Sequence, residues 1–118
     1  MLGVAKPFTS AAISSPTLAS GDQTYSAAHG LPQAPFDAWA ELVCTTTDLG
    51  YAVGRRVKLG DVIKFSSASA WRGASVSWDA TNVYAVQEDG LWLPDLSSNN
   101  LPTTITYSSW NLVLKAVP

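Results

Sequence analysis

Apolar and polar residues alternate with a period of two over most of the chain beyond residue 22, the spacing of strands whose two faces see different surroundings. In "FDAWAELVCTT" the alternation places Phe36, Ala38, Ala40, Leu42 and Cys44 on one side, and Asp37, Trp39, Glu41, Val43 and Thr45 on the other. "SWNLVLKAV" sets Trp110, Leu112, Leu114 and Ala116 against Asn111, Val113 and Lys115, and "ASVSWD" sets Ala74, Val76 and Trp78 against Ser75, Ser77 and Asp79. Each predicts a half-buried strand with a second side that is wet or faces a partner. Shorter strands are predicted at 23–27, 55–59, 62–65, 82–87, 91–93 and 103–107. Turn residues separate them at Gly21-Asp22, 30–35, 48–50, Gly60-Asp61, 79–82, Asp89-Gly90 and 97–102. Asp89-Gly90 has the composition of a two-residue hairpin turn, because glycine supplies the positive φ such turns need. No stretch carries a capped helical stripe. The pattern predicts an all-β fold, an antiparallel β-sandwich or small barrel of about eight short strands.

Residues 1–22 behave differently. "MLGVAKPFTSAAISSPTLASGD" is rich in Ser, Ala and Pro with no clean period, and reads as an extended N-terminal arm preceding one domain over 23–118. Such an arm needs something to hold it, most simply a neighbouring subunit. Pro7, Ser10, Ser14 and Ser15 interrupt any apolar run there, so no cleaved leader is expected.

Composition narrows the possible partners. Charged residues make up 14% of the 118, against about 25% in ordinary soluble domains. A surface this poor in charge must be covered by small polar residues or by other protein. A net charge of −2 offers no basic field for phosphates, so nucleic acid is not expected as a partner. No run reaches the ~18 apolar residues of a membrane-spanning helix, so membrane insertion is not expected either. The single cysteine excludes an internal disulfide, which fits folding in a reducing cytoplasm.

Candidate chemistry is sparse. Cys44 and His29 are the only cysteine and histidine. A nucleophilic cysteine needs a cation or helix N-terminus to lower its pKa. Cys44 instead follows Ala40 and Leu42 on the apolar side of a strand, the place of a packed thiol. His29 precedes Gly30-Leu31-Pro32, where its ring can bond a turn carbonyl. One Cys and one His do not make a zinc site, and Asp79, Asn82, Asp89 and Asp95 lack the alternating pattern of a calcium loop. No cofactor or metal is therefore expected. Glu41, Glu88, Asp37 and Asp89 could pair as glycosidase carboxylates only if the fold brought two together. Glu41 and Glu88 read more simply as solvated charges. No Gly-x-Ser-x-Gly elbow occurs.

The five tryptophans carry more information. Trp78 and Trp110 fall on apolar sides and are expected in the core. Trp39 falls among polar neighbours, and Trp71 and Trp92 lie in loop-like stretches. Exposed aromatics mark protein interfaces or sugar-stacking platforms.

The stretch "YSAAHGLPQAPFDAWAELVCTTTDLGYAVGRRVKL", residues 25–59, resembles a pattern in small virion proteins of tailed bacteriophages and in modules attached to their tail fibres. The features in common are His29-Gly30-Leu31, Pro35, Leu42-Val43-Cys44-Thr45 and Gly50-Tyr51-Ala52-Val53-Gly54, with "DATNVY" (79–84) and "SSWNLVLKA" (108–116) later. Pro32 stands where glycine is usual, and Arg55-Arg56 where an acidic residue is usual. The resemblance implies a β-sandwich displayed on a particle as a symmetric oligomer, a trimer being one form, and it implies no chemistry. It leads to the expectation of a non-enzymatic structural protein of the virion, assembled in the bacterial host cytoplasm, at the tail tip or fibre or as a head decoration. Its partners would be other virion proteins, met through the arm and an aromatic sheet face at Phe8, Leu18, Trp39, Trp71 and Trp92. The alternative is a host-surface carbohydrate-binding module in which Trp71, Trp92 and Tyr84 stack on sugars while Asp89, Asp95 and Asn82 bond hydroxyls.

Overall fold

The two most strongly alternating segments pair with each other. In the computed structural model, which describes residues 6–14, 22–60, 63–64, 71–88 and 90–118, Asp37–Cys44 (β3) and Trp110–Val117 (β10) run antiparallel in a register that places Trp110 opposite Cys44, Leu112 opposite Leu42, Leu114 opposite Ala40 and Ala116 opposite Ala38. Large residues thus face small or medium ones on the inner face, and the layer fills without crowding. All eight of these side chains are buried. Complete burial of a Leu contributes about 1.5–3 kcal/mol.

The remaining strands are β1 (Phe8–Thr9), β2 (Gln23–Ala28), β4 (Arg56–Lys58), β5 (Ile63–Lys64), β6 (Trp71–Trp78), β7 (Asn82–Glu88), β8 (Trp92–Asp95) and β9 (Leu101–Thr104), with a 3-10 turn at Tyr107–Ser109. They build two four-stranded antiparallel sheets, β1-β10-β3-β4 and β2-β7-β6-β5, and a β8-β9 ribbon. The fold is all-β, and its sheets are open, so the layers stack as in a sandwich and do not close into a barrel. The shared core joins Leu42, Trp110 and Leu112 of the first sheet to Tyr25, Ala74, Val83 and Ala85 of the second, with Leu91, Leu93 and Ile105 capping one end.

That end is tied by polar bonds. Asp48 accepts from Thr106 N (2.8 Å), Thr106 Oγ1 (3.1 Å) and Trp110 Nε1 (2.9 Å), joining segments about sixty residues apart in sequence. Gly50, at φ +85°, lies so close to the ribbon's turn that a Cβ there would sit 2.9 Å from Leu96 Cβ. The opposite end is closed by the β6–β7 turn. Asp79 Oδ1 accepts from Thr81 N and Asn82 N, both at 2.8 Å, an arrangement that sets the turn without help from glycine.

Several expectations change. Residues 8–13 of the predicted arm are held by the chain itself. Phe8 pairs with Ala116 and Thr9 with Lys115, Ser10 N donates to Leu114 O (2.8 Å), and Ile13 exchanges both backbone bonds with Leu112. The rim of β10 would otherwise present unpaired donors and acceptors. The Asp89-Gly90 signal does not make a hairpin. Gly90, at φ +139°, carries the chain out of one sheet, and β8 pairs with β9 rather than with β7; Asp89 lies outside the described residues. Phe36 precedes the strand and is 85% exposed, and Trp78, at the end of its strand, is 37% exposed. Strand ends lose the neighbours that would cover an inward side chain. Trp71 begins β6 instead of sitting in a loop.

Candidate functional site

The lone thiol and imidazole are not partners. Cys44 Sγ–H donates to Thr46 O (3.1 Å), with Tyr51 O at 3.5 Å. His29 Nδ1 accepts from Leu31 N (2.9 Å), which leaves Nε2 to carry the proton and donate to Asp79 O (3.0 Å). Asp79 adjoins Trp78, whose Nε1 donates to Pro35 O (2.9 Å) just before β3 begins. His29 therefore belongs to the end of the sandwich where β3 starts and Cys44 to the end where it stops. At about 3.3 Å per residue, more than 20 Å of strand lies between them. Among the described residues, no three or more His, Cys, Asp or Glu side chains gather where they could hold a metal ion. No helix there is long and apolar enough to cross a membrane.

Of the five predicted contact residues, the three whose side chains are described, Phe8, Trp39 and Trp92, do not form one surface. Phe8 packs against the core beside Ala116. Trp39 lies on the outer face of the first sheet. Trp92 is half-buried in the ribbon, which is anchored to the 48–51 loop by the Tyr51 hydroxyl on Pro94 O (3.0 Å) and by Leu96 N on Leu49 O (2.8 Å). Trp39, in the first half of β3, and Trp92, on the ribbon anchored beyond the end of β3, thus lie towards opposite ends of the sandwich. Leu18 lies outside the described residues, as does the side chain of Trp71. Of the residues considered for sugar binding, Tyr84 donates its hydroxyl to Asp79 Oδ2 (2.8 Å) and Asp95 Oδ1 accepts from Ser97 N (3.0 Å), so both are engaged in turns.

Around Trp39 the first sheet is highly organised. Glu41 faces outward, as alternation requires, yet it is only 9% exposed and is no solvated charge. Its carboxylate accepts from Trp39 Nε1 (2.7 Å) and Arg56 (3.4 Å), and Lys115 Nζ lies 3.5 Å away. Burial alone would raise its pKa. The indole bond, Lys115 and Arg56 outweigh burial and hold the carboxyl below its ordinary value of 4.5. The Lys58 ammonium lies over the Trp39 ring, 4.9 Å from its centroid.

Next to this cluster the described residues leave the edge of the sandwich open. Strand β4 ends at Lys58, and Leu59 keeps a single bond to β3, to Ala40 O (2.9 Å). The gap is a cleft of about 300 Å³ at the edge of the sandwich, reached by residues of both faces of the first sheet. Ala38, Ala74 and Val76 give it apolar walls, and Trp39, Trp78 and Lys58 stand around it. Both indole N–H groups are engaged, with Glu41 and with Pro35 O, so the two rings are held in fixed positions. The alternation marked Trp39 as set apart from the core. Trp78 and Lys58 were missed, because only the register of β3 on β4 and the stacking of β6 beneath them bring the three together. No protein-family model matches the chain, and no curated protein is significantly similar to it.

Proposed function

We propose that this chain is a non-enzymatic structural protein of a tailed-phage virion, at the tail tip or fibre or on the head, which binds neighbouring subunits as part of a symmetric oligomer. The observation that carries the reading is how residues 8–13 are held. They add to the rim of β10 by backbone ladder bonds, and only Phe8 and Ile13 contribute large apolar contacts. A ladder of this kind does not depend on which copy supplies the added strand, so the same segment can pair within one subunit or across to the next. The charge-poor surface supports the reading, because such a surface tolerates close packing among many copies. The contacts would involve the arm, including Phe8 and Leu18, and the aromatic positions Trp39, Trp71 and Trp92.

The test is removal of residues 1–22. The truncated protein is expected to keep its β-sheet circular dichroism, to lose oligomers seen by light scattering, and to be missing from purified particles. Normal incorporation of the truncated chain would overturn the role of the arm.

A further inference from the structure

We infer that the cleft beside β4 is a binding site for an acidic sugar, one hexuronic acid unit of an anionic polysaccharide. The inference stands on the cleft alone and does not require the virion reading. Three observations select the ligand.

The first is charge. Lys58 pairs in register with Glu41, but the Glu41 oxygens are taken by Trp39, Arg56 and Lys115, and among the described residues no carboxylate forms an ion pair with Lys58. Lys58 lines the cleft, and its ammonium is held over the Trp39 ring. With no acid partner for it among the described residues, this cation can take a ligand carboxylate, in a contact of the strong, charge-assisted kind.

The second is shape and surface. Trp78 lines the cleft and is 37% exposed, and its N–H is committed to Pro35 O, so what it offers a ligand is the ring itself. Apolar walls at Ala38, Ala74 and Val76 complete a surface for a flat C–H face. A volume of about 300 Å³ lies at the lower end of ligand sites, enough for one ring but not for a folded peptide.

The third is the opening at the edge of the sandwich, which leaves the outer side of a bound ligand in water. A purely apolar acid would expose greasy surface there, whereas a hydroxylated ring keeps its hydroxyls hydrated while one face stacks on Trp78. A sugar ring with a carboxylate meets all three conditions, and a neutral sugar leaves Lys58 unused.

The experiment is calorimetric titration of the full chain with oligogalacturonate and, as the uncharged counterpart, oligogalactose, together with NMR of the indole N–H signals. The oligogalacturonate is expected to bind in the millimolar range or tighter, to shift the Trp39 and Trp78 signals, and to weaken as salt rises. Lys58→Gln, on an exposed edge strand where folding is not at stake, is expected to weaken oligogalacturonate about tenfold, the scale of one charge-assisted contact. Affinity for oligogalactose should stay unchanged. Trp78→Phe, which keeps a ring, should bind more tightly than Trp78→Ala. Failure of oligogalacturonate to bind, equal affinity for the two sugars, or a Lys58→Gln variant that binds like the parent would each overturn the site. These variants leave residues 8–13 untouched, so a failure here is distinct from a failure of the arm to mediate incorporation.

Discussion

The outward faces of the two sheets follow the same alternation but differ in what they have become. On β2, β6 and β7 the outward row includes Thr24, Ser26, Ser75, Ser77, Tyr84 and Val86, and four of these six are small hydroxyl side chains open to solvent. On β3, β4 and β10 the outward row is Trp39, Glu41, Val43, Arg56, Lys58, Val113 and Lys115, and there Val113 is 6% exposed while Glu41 is bonded on both oxygens. One face is a plain solvated surface. The other is a second packed layer, assembled from long side chains lying over a central carboxylate. A polar position in an alternating strand is therefore outward without necessarily being wet, and side-chain length on neighbouring strands decides which.

The largest test of this contrast is to place the same charge on both faces. Val113→Asp is expected to cost about 3 kcal/mol in chemical denaturation, since it buries an unpaired carboxylate beside Glu41. Val86→Asp on the other sheet, where the position is 36% exposed, should stay within about 0.5 kcal/mol of the parent. Equal losses would remove the distinction.

A smaller effect should follow Glu41→Gln, about 1–2 kcal/mol near neutral pH. Because the native carboxyl is held below 4.5, folding favours its ionised form. That contribution is present above the ordinary carboxylate range and is lost as pH falls through the native value. The gap between parent and variant should therefore narrow from neutral pH towards about pH 3. A gap that does not change with pH would mean that the carboxylate charge is not what organises the layer.

The smallest effect belongs to the hydroxyl-rich sheet. The phenol of Tyr84 donates to Asp79, which raises its pKa above the ordinary 10.0. Asp79→Asn should bring the Tyr84 titration, followed by ring NMR signals, back towards that value. An unmoved titration would show that this contact is not formed in solution.

Much of the framework was legible in the residue pattern. The alternation in 37–44 and 110–117 is strong because both inner rows are apolar without interruption, and short-range chemistry is enough to mark turns such as 79–82. The two-residue β1 was not legible, since Phe8 and Thr9 suit a strand but two residues show no alternation, and only the rim of β10 gives them a partner. From sequence Glu41 reads as solvated because its partners Arg56 and Lys115 stand on two other strands, and only register brings them near. The cleft was hidden for the same reason. Trp39 could be singled out by its parity, whereas Trp78 carried the parity of a core residue and owes its exposure to its place at the end of β6.

The pairing of β3 with β10 has a consequence for how the molecule comes into being. The two strands that form the heart of the first sheet are separated by about 65 residues, so at 5–20 residues per second β3 leaves the ribosome several seconds before its mate. Throughout that interval the Ala-Glu-Leu-Val-Cys ribbon has one flank unsatisfied. Nascent chains are at their most adhesive in this window, so chaperones that shield them, translation speed across 45–109 and growth temperature should all affect yield.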